Sequence, residues 1–424
     1  MFNFKTTYNG TVFYKNILTL LKGSVLAQLI PLIISPFITR LYSPKELGVL
    51  ALFSSISVIL GSVVNGRYEQ ALVLVKTENE ANHLTILSLF LSLVVSLLLF
   101  LFFIVFTPQL LNFFNEPDLA FWIYLIPVVI FSIGAYNTLN YYELRKKHFK
   151  KISNSEIYRS ASFAAIQLSF PLIKSGIFGL LIGKLISSLI APIYLCKTSN
   201  FKIRKVNTSL LLALAKRFID FPKYTNFSIL LNNLSINAIN LLIPVLYSTQ
   251  LLGLYSLMYK VLGAPFVFLG NAINQVFLED AVRQKNELGH AYKLTKRMVI
   301  QLTFVSVIFF GTAYFIIEDL FAFVFSEDWR MSGVYAKYLI PFFMFKFIAS
   351  PLTSIHTAFE KQKLSFTLQL IMFVLSMGSL LYAYINLWIF EHYLLLFSVL
   401  MSIFYIFRIA IILRISKNNM SLYE

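Results

Sequence analysis

The sequence predicts an all-α integral membrane protein of about twelve transmembrane helices, in two six-helix lobes around a central cavity. Three observations carry that prediction. Of 424 residues, 58% are apolar and only 13% charged, and the mean hydropathy is +0.74, whereas soluble domains sit near roughly 45–50% and 25%. Apolar windows of about 20 residues, the length one helix needs to cross hydrocarbon, recur along the whole chain and leave no room for a large soluble catalytic domain. An octapeptide that follows the first window returns at the corresponding place in the second half.

Charges and prolines bound each window in turn. The first, 16–39, carries Lys22 near its start, runs longer than a signal-peptide core and has no small-residue cleavage site, so it reads as a retained helix. The window 47–66 lies between Lys45-Glu46 and Arg67, 84–106 begins beyond Glu78 and Glu80, and 120–142 lies between Asp118 and Glu143. Windows 155–173 and 177–196 meet at Lys174. In the second half, 222–246 and 250–276 flank Tyr247-Ser248-Thr249, 298–317 follows Arg297, 334–357 follows the acidic Glu327-Asp328, and 365–387 and 392–413 close the set. The 25 residues from Lys197 to Phe221 form the longest loop. Within it Leu210, Leu211, Leu214 and Phe218 share one helical face, as in a helix lying in the membrane interface. The chain therefore divides into a six-helix lobe over 1–196, a cytoplasmic linker with an interfacial helix over 197–221, and a second six-helix lobe over 222–424.

The balance of 36 Lys and Arg against 19 Asp and Glu gives a formal charge of +17. In a soluble protein this would suggest nucleic-acid binding; here topology accounts for it. With the N-terminus inside, cytoplasmic segments collect 27 basic residues and external loops five, namely Arg40, Lys45, Lys174, Arg330 and Lys337. The positive-inside rule then places both termini in the cytoplasm. The runs Arg145–Lys151 and Lys202–Lys205 fall where anchoring to anionic lipid predicts them, so no nucleic-acid partner is read. The single cysteine, Cys196, excludes an intramolecular disulfide and a thiolate metal cage.

The octapeptide Leu41-Tyr42-Ser43-Pro44-Lys45-Glu46-Leu47-Gly48 recurs as Leu246-Tyr247-Ser248-Thr249-Gln250-Leu251-Leu252-Gly253, five identities in eight at an offset of 205. Both copies follow the first helix of a six-helix set. Six is even, so each half starts and ends inside, and such halves are related by an axis along the membrane normal, as in transporters.

Polar side chains facing lipid are costly, so polar stripes inside spans face other helices or an aqueous cavity. Ser24, Gln28, Pro31, Ser35 and Thr39 align on the first span, and Ser54, Ser57, Gly61 and Asn65 on the second. The seventh aligns Asn226, Asn233, Asn237 and Asn240; the eighth aligns Ser256, Lys260, Gly263, Asn271 and Asn274; the tenth aligns Lys346, Ser350, Thr353 and Thr357. Gln28 maps onto Asn233 and Ser35 onto Asn240 at the repeat offset, which favours a cavity over simple interhelical bonding. Four cations, Arg159, Lys184, Lys260 and Lys346, face one acid at span depth, Glu156. A lysine mid-span costs about 2.5–3.5 kcal/mol on insertion scales, so uncompensated cations call for a watery lumen or an anionic ligand such as a phosphate. Arg159 has a structural alternative in pairing with Glu156, and Lys184 in snorkelling. Gly179, Gly183 and Ser187 read as a packing seam of small residues.

No GxSxG elbow, phosphate-binding loop or HExxH motif occurs, and the five histidines are isolated. The reading is no enzyme, no cofactor and no metal, and no ATP hydrolysis by this chain.

The segment Arg40–Gly48, preceded by Gln28–Pro36 and followed by Arg67-Tyr68-Glu69-Gln70-Ala71-Leu72 and Glu80-Ala81, resembles the opening of bacterial polysaccharide flippases of the Wzx type. Phe221-Pro222-Lys223-Tyr224 fits the same family. The likeness is most specific over roughly the first 85 residues and extends further as hydropathy and helix count. It implies the multidrug, oligosaccharidyl-lipid and polysaccharide exporter fold. It also implies a substrate, undecaprenyl-pyrophosphate-linked oligosaccharide moved across the bacterial plasma membrane for O-antigen of lipopolysaccharide or for capsule.

On that resemblance Lys260, Lys346, Arg159 and Lys184 are expected to hold the anionic headgroup. Gln28, Ser35, Asn65, Asn233, Asn237, Asn240, Asn271, Asn274, Ser350 and Thr353 are expected to bond sugar hydroxyls. Glu156, Asp220 and Glu69 are the candidates for ion coupling. The expected partners are the lipid-linked oligosaccharide and membrane lipid, with a polysaccharide polymerase left open. A drug antiporter of the same superfamily is the alternative within transport, weakened by the absence of central carboxylates in the first, second, seventh and eighth spans. A membrane glycan polymerase or transferase is the alternative outside it, and would need long external loops with catalytic residues.

Overall fold

The computed structural model describes residues 23, 25–172, 176–199, 201 and 207–417. Ser24 of the first stripe, Lys174 and the basic run 202–205 lie outside the described residues. Those described are almost wholly helical, with no strand among them. The main helices are α1 (Val25–Leu41), α2 (Pro44–Gly61), α3 (Glu78–Phe114), α4 (Ile126–Arg145), α5 (Phe149–Ser169), α6 (Phe178–Thr198), α7 (Thr208–Arg217), α8 (Asn226–Leu246), α9 (Thr249–Pro265), α10 (Asn271–Leu288), α11 (Tyr292–Phe325), α12 (Arg330–Ala349), α13 (Gln362–Ile385) and α14 (Phe390–Lys417). Each of the twelve apolar windows carries helix.

Seven helices among the described residues are long and apolar enough to cross a membrane, nine if each bent pair is one span. The chain is a multi-pass membrane protein. One bent pair joins Pro117–Ile123 to α4 at 51°. Three predicted spans fall short of that standard for identifiable reasons. The first begins in residues outside the description. The fifth, α5, carries Lys150, Lys151, Glu156 and Arg159. The eighth breaks at a π-helical turn, Phe266–Gly270, so α9 ends at Pro265 and α10 runs on past the predicted limit of 276 to Leu288.

By contact, the described residues form two units, one comprising those before Ser35 together with Leu52–Leu234, the other Ser35–Ala51 with Ser235–Glu424. In the first unit α5 packs on α6, α3 on α4, and α4 on α6. Helix α7 docks on the same unit: Leu214 and Phe218 are buried with Tyr68, Leu72, Leu84 and Tyr142, and Leu210 and Leu211 pack against that cluster. The face read from the sequence as lying in the membrane interface thus meets the start of α3 and the 3-10 turn Tyr68–Val73. Asn207 caps α7 through Oδ1, and its own N–H donates to Nε2 of His83 at 3.0 Å. The Arg217–Glu80 pair, at 3.2 Å, closes the other end.

In the second unit α12 packs on α11, α14 and α9, and α13 on α14. The repeated octapeptide explains itself here. Ser43 is the cap of α2, accepting from the Glu46 N–H at 3.4 Å while the Glu46 carboxylate accepts from the Ser43 N–H at 2.7 Å, a reciprocal capping box. At the equivalent position Ser248 accepts from the Leu251 N–H at 3.2 Å and caps α9. Five residues on, both copies have glycine, and the contact is reciprocal. A Cβ on Gly48 would lie 1.9 Å from the Thr249 carbonyl oxygen, and one on Gly253 would lie 1.8 Å from that of Pro44. Pro44 and Thr249 are themselves 205 apart, so the two helix starts touch through matching atoms of the two copies. Trp329, fully buried, donates from Nε1 to the Thr39 carbonyl at 2.8 Å and ties the end of α1 into this unit.

Candidate functional site

A cavity of about 540 Å³ lies within the first unit, inside the size range of small-molecule sites. Val58 and Ser62 from α2 and the residue after it form one side, and Ser132, Tyr136 and Asn137 of α4 another. Arg159, Ser160 and Phe163 of α5 face Lys184, Ser187 and Ser188 of α6; Asn233 of α8 and Arg67 complete the wall. Three cations and a belt of hydroxyls and amides therefore share one cavity, and no carboxylate is among its lining residues.

The local chemistry holds these groups in place. The Arg159 guanidinium lies 5.0 Å from the centre of the Tyr136 ring, a cation–π arrangement, and Tyr136 donates from Oη to Glu156 Oε1 at 3.4 Å. Glu156 thus stands behind the wall rather than in it. Arg159 and Lys184 are close enough to repel each other. Ser187 and Ser188 donate to backbone carbonyls one turn back, Lys184 and Leu185, at 3.0 and 2.7 Å, leaving their oxygens free to accept. Gly183 behaves as a packing residue: a Cβ there would meet Gln167, Ile166 and Phe163 of α5 at 3.4–3.5 Å. Its neighbour Ser187 lines the cavity as well.

Arg67 reaches the site from an unusual backbone. Gly66 and Arg67 both have positive φ, 61° and 62°, and a left-handed arginine costs energy that a glycine does not. Its Nη1 sits 3.1 Å from Oε1 of Glu69, which has no exposed surface. Burial holds the Glu69 carboxyl above the usual range, against the opposing pull of Arg67. The second carboxylate oxygen, Oε2, is buried without a hydrogen-bond partner.

Of the candidates named from sequence, the cavity brings together Arg159, Lys184 and Asn233. The others lie elsewhere. Gln28 is exposed and Ser35 buried on α1. Asn65 is buried between helices and donates from Nδ2 to the Gly134 carbonyl and Thr138 Oγ1, both at 3.4 Å. Asn237 and Asn240 are half-buried on α8, and Lys260 is exposed on α9. The Asn271 side chain is outside the description. Asn274 donates to the Pro351 carbonyl at 2.8 Å, and Thr353 to that of Ser350 at 2.8 Å. Lys346 donates to Tyr259 Oη at 2.8 Å, within an aromatic cage of Tyr259, Phe266, Phe342 and Phe343 whose ring centres lie 4.9–5.4 Å away. Asp220 is exposed beyond α7. Sequence reasoning did not name Arg67, Ser132, Tyr136, Asn137, Ser160 or Ser188 as site residues; Ser132 and Tyr136, four apart, fall on one face of the fourth span and were open to the same stripe test.

The profile of the polysaccharide biosynthesis protein family matches residues 37–334. The chain belongs to this family. No curated protein matches it. Among solved structures it is similar to the lipid II flippase MurJ in an inward closed conformation, with a TM-score of 0.72 at 13% identity over 96% of this chain and 90% of that one. An inward-facing multidrug resistance MATE family transporter of the MOP superfamily gives 0.60 at 12% identity over 95% and 96%. The Vibrio cholerae MATE transporter VcmN gives 0.57 at 16% identity over 95% of each chain. At these identities the likeness establishes the fold, and it covers nearly the whole of this family member.

Proposed function

We propose that the protein translocates undecaprenyl-pyrophosphate-linked oligosaccharide repeat units from the cytoplasmic to the outer leaflet of the bacterial plasma membrane, by alternating access, for O-antigen or capsular polysaccharide synthesis. The observation that carries the reading is the cavity whose wall holds Arg67, Arg159 and Lys184 beside Asn137, Asn233 and five serines. Guanidinium and ammonium groups bind phosphate oxygens through charge-assisted bonds, while amides and hydroxyls suit a sugar. Cations at this depth are costly unless an anion repays them.

In this reading Arg159 and Lys184 meet the diphosphate or an acidic sugar, Asn233 meets sugar hydroxyls, and the prenyl tail stays in the bilayer. Lys260, Lys346, Asn237, Asn240, Asn271, Asn274, Ser350 and Thr353 serve the second lobe, and Gln28, Ser35 and Asn65 the first. The lobes are 1–196 and 222–424 joined by the linker 197–221, with both termini in the cytoplasm by the bias in basic residues. Ion coupling is assigned to Glu69, which shares Arg67 with the cavity, ahead of Glu156 and Asp220. A polysaccharide polymerase is the enzyme that would consume the product. Membership of a polysaccharide biosynthesis family supports the substrate class. Export of cationic drugs fits less well, because the cavity wall offers them cations and no carboxylate.

The test is the leaflet accessibility of undecaprenyl-pyrophosphate oligosaccharides in cells with and without the protein. A membrane-impermeant probe of the sugar reads exposure, and mass spectrometry of extracted lipids identifies the glycan. Accumulation of inward-facing lipid in its absence is the expected result. Unchanged outward exposure with short glycan chains would overturn it in favour of polymerisation.

A further inference from the structure

A second feature of the molecule lies at the start of α11. There Tyr292, Lys293, Lys296, Arg297, Ile300 and Gln301 line a depression of about 440 Å³. Lys293, Lys296 and Arg297 are exposed. On the preceding helix Arg283 pairs with Asp280 at 2.6 Å and Lys285 with Glu360 at 3.2 Å, whereas these three have no acidic partner among the described residues. The first turn of α11 contains no acid, and its cap residue, Ala291, supplies no side-chain bond, so the N–H groups and the dipole of a 34-residue helix add to the positive field. Lys417 of α14 brings a fourth cation alongside, its Nζ 4.6 Å from the Tyr292 ring centre.

The same stripe of α11 then turns apolar. Positions 293, 297, 300, 304, 308, 311 and 315 follow one another at steps of three and four and lie on one face. Ile300, Phe304, Ile308 and Phe315 are exposed, and a Cβ on Gly311 would have nothing within 4 Å. From Ile300 to Phe315 this face runs about 22 Å at 1.5 Å per residue, enough to cover the roughly 15 Å of hydrocarbon in one leaflet. A cationic head above an apolar stem is the complement of an anionic amphiphile.

We propose that this face of α11 is a binding site for an anionic phospholipid, its phosphate held by Lys293, Lys296 and Arg297 and its acyl chains laid along Ile300, Phe304 and Ile308. Zwitterionic lipid can fill the stem but gains less from the head, because its own ammonium is repelled by the trio. The site is separate from the cavity in the first unit and stands without the flippase reading.

The experiment places the full-length protein in nanodiscs of phosphatidylcholine with a minority of phosphatidylglycerol and reads retained lipids by native mass spectrometry. Phosphatidylglycerol is expected to be retained over phosphatidylcholine by on the order of tenfold or more, given the attraction each basic residue adds near a membrane surface. That preference is expected to be lost in the Lys293→Gln/Lys296→Gln/Arg297→Gln variant and kept in a Lys361→Gln/Lys363→Gln control, whose side chains are also exposed. Equal retention of the two lipids by the unaltered protein, which needs no variant to fold, would overturn the proposal. So would an unchanged preference in the triple variant, or displacement of the retained lipid by undecaprenyl diphosphate but not by added phosphatidylglycerol.

Discussion

Replacing Gly253 by alanine puts the reciprocal helix contact to a direct test. Elsewhere in a helix, glycine to alanine gains about 1 kcal/mol from propensity alone. At this position the new methyl would lie 1.8 Å from the Pro44 carbonyl oxygen and 3.0 Å from the Gly48 nitrogen, both backbone atoms. Carbon–oxygen contacts below 3.0 Å are not tolerated, so the two helix starts must separate by about 1.2 Å. Side-chain overpacking by one methylene costs about 1–3 kcal/mol when neighbours can give; with backbone on both sides the upper end applies, for a net loss of about 2 kcal/mol. Thermal unfolding in detergent, followed as the folded monomer fraction on a sizing column, reads the loss. Gly311→Ala is the matched control, since its Cβ meets nothing within 4 Å, and it should be neutral or stabilising. A Gly253→Ala protein as stable as that control would refute the close approach.

Trp329→Phe keeps the ring buried but strands the Thr39 carbonyl that accepts from Nε1 at 2.8 Å, and should cost about 1–3 kcal/mol in the same assay. Glu69→Gln should show a pH-dependent effect. A carboxyl held above its ordinary value keeps its proton longer in the folded state, so its contribution is greatest at low pH and declines as pH rises from about 4.5 through the raised value. The stability of Glu69→Gln relative to the unaltered protein should therefore climb as pH rises above about 4.5; a flat or falling difference would show that burial does not dominate at Glu69. Arg159→Gln/Lys184→Gln removes two of the three cavity cations and should lower glycan export at least tenfold at unchanged protein abundance, read by cell-surface polysaccharide; normal export would remove both from the substrate site.

Much of the helical skeleton was legible because hydrocarbon demands long apolar runs, and all twelve windows carry helix. Breaks inside runs were not, since Pro265 closes α9 within an apolar stretch that hydropathy reads as continuous. Polar stripes marked helices correctly but not their destinations. Asn65, Asn274 and Thr353 spend their donors on carbonyls or a hydroxyl nearby, which a helical wheel cannot separate from facing water. Lys346 shows the same limit: its ammonium sits over rings from α9, α12 and the Phe266–Gly270 turn, an arrangement made only when distant segments meet. Arg67 escaped notice as a site residue because hydropathy assigns it to a loop, although Gly66 beside it is the kind of residue a left-handed turn requires.

The polarity of α5 bears on how the chain is made as well as on what it does. With Glu156 and Arg159 inside the predicted span and Lys150 and Lys151 at its cytoplasmic start, and a charge near a span centre costing about 2.5–3.5 kcal/mol on insertion scales, this segment is poorly suited to enter lipid by itself. Its charges are tolerable only once α6, apolar enough to cross alone, lies against it and α4 supplies the Tyr136 ring and hydroxyl. The expected order of insertion follows: α5 settles when α6 has been delivered, and the two enter the bilayer as one hairpin. Placed as a test segment in a host membrane protein, α5 alone should fail to insert, while α5 followed by α6 should insert as a pair.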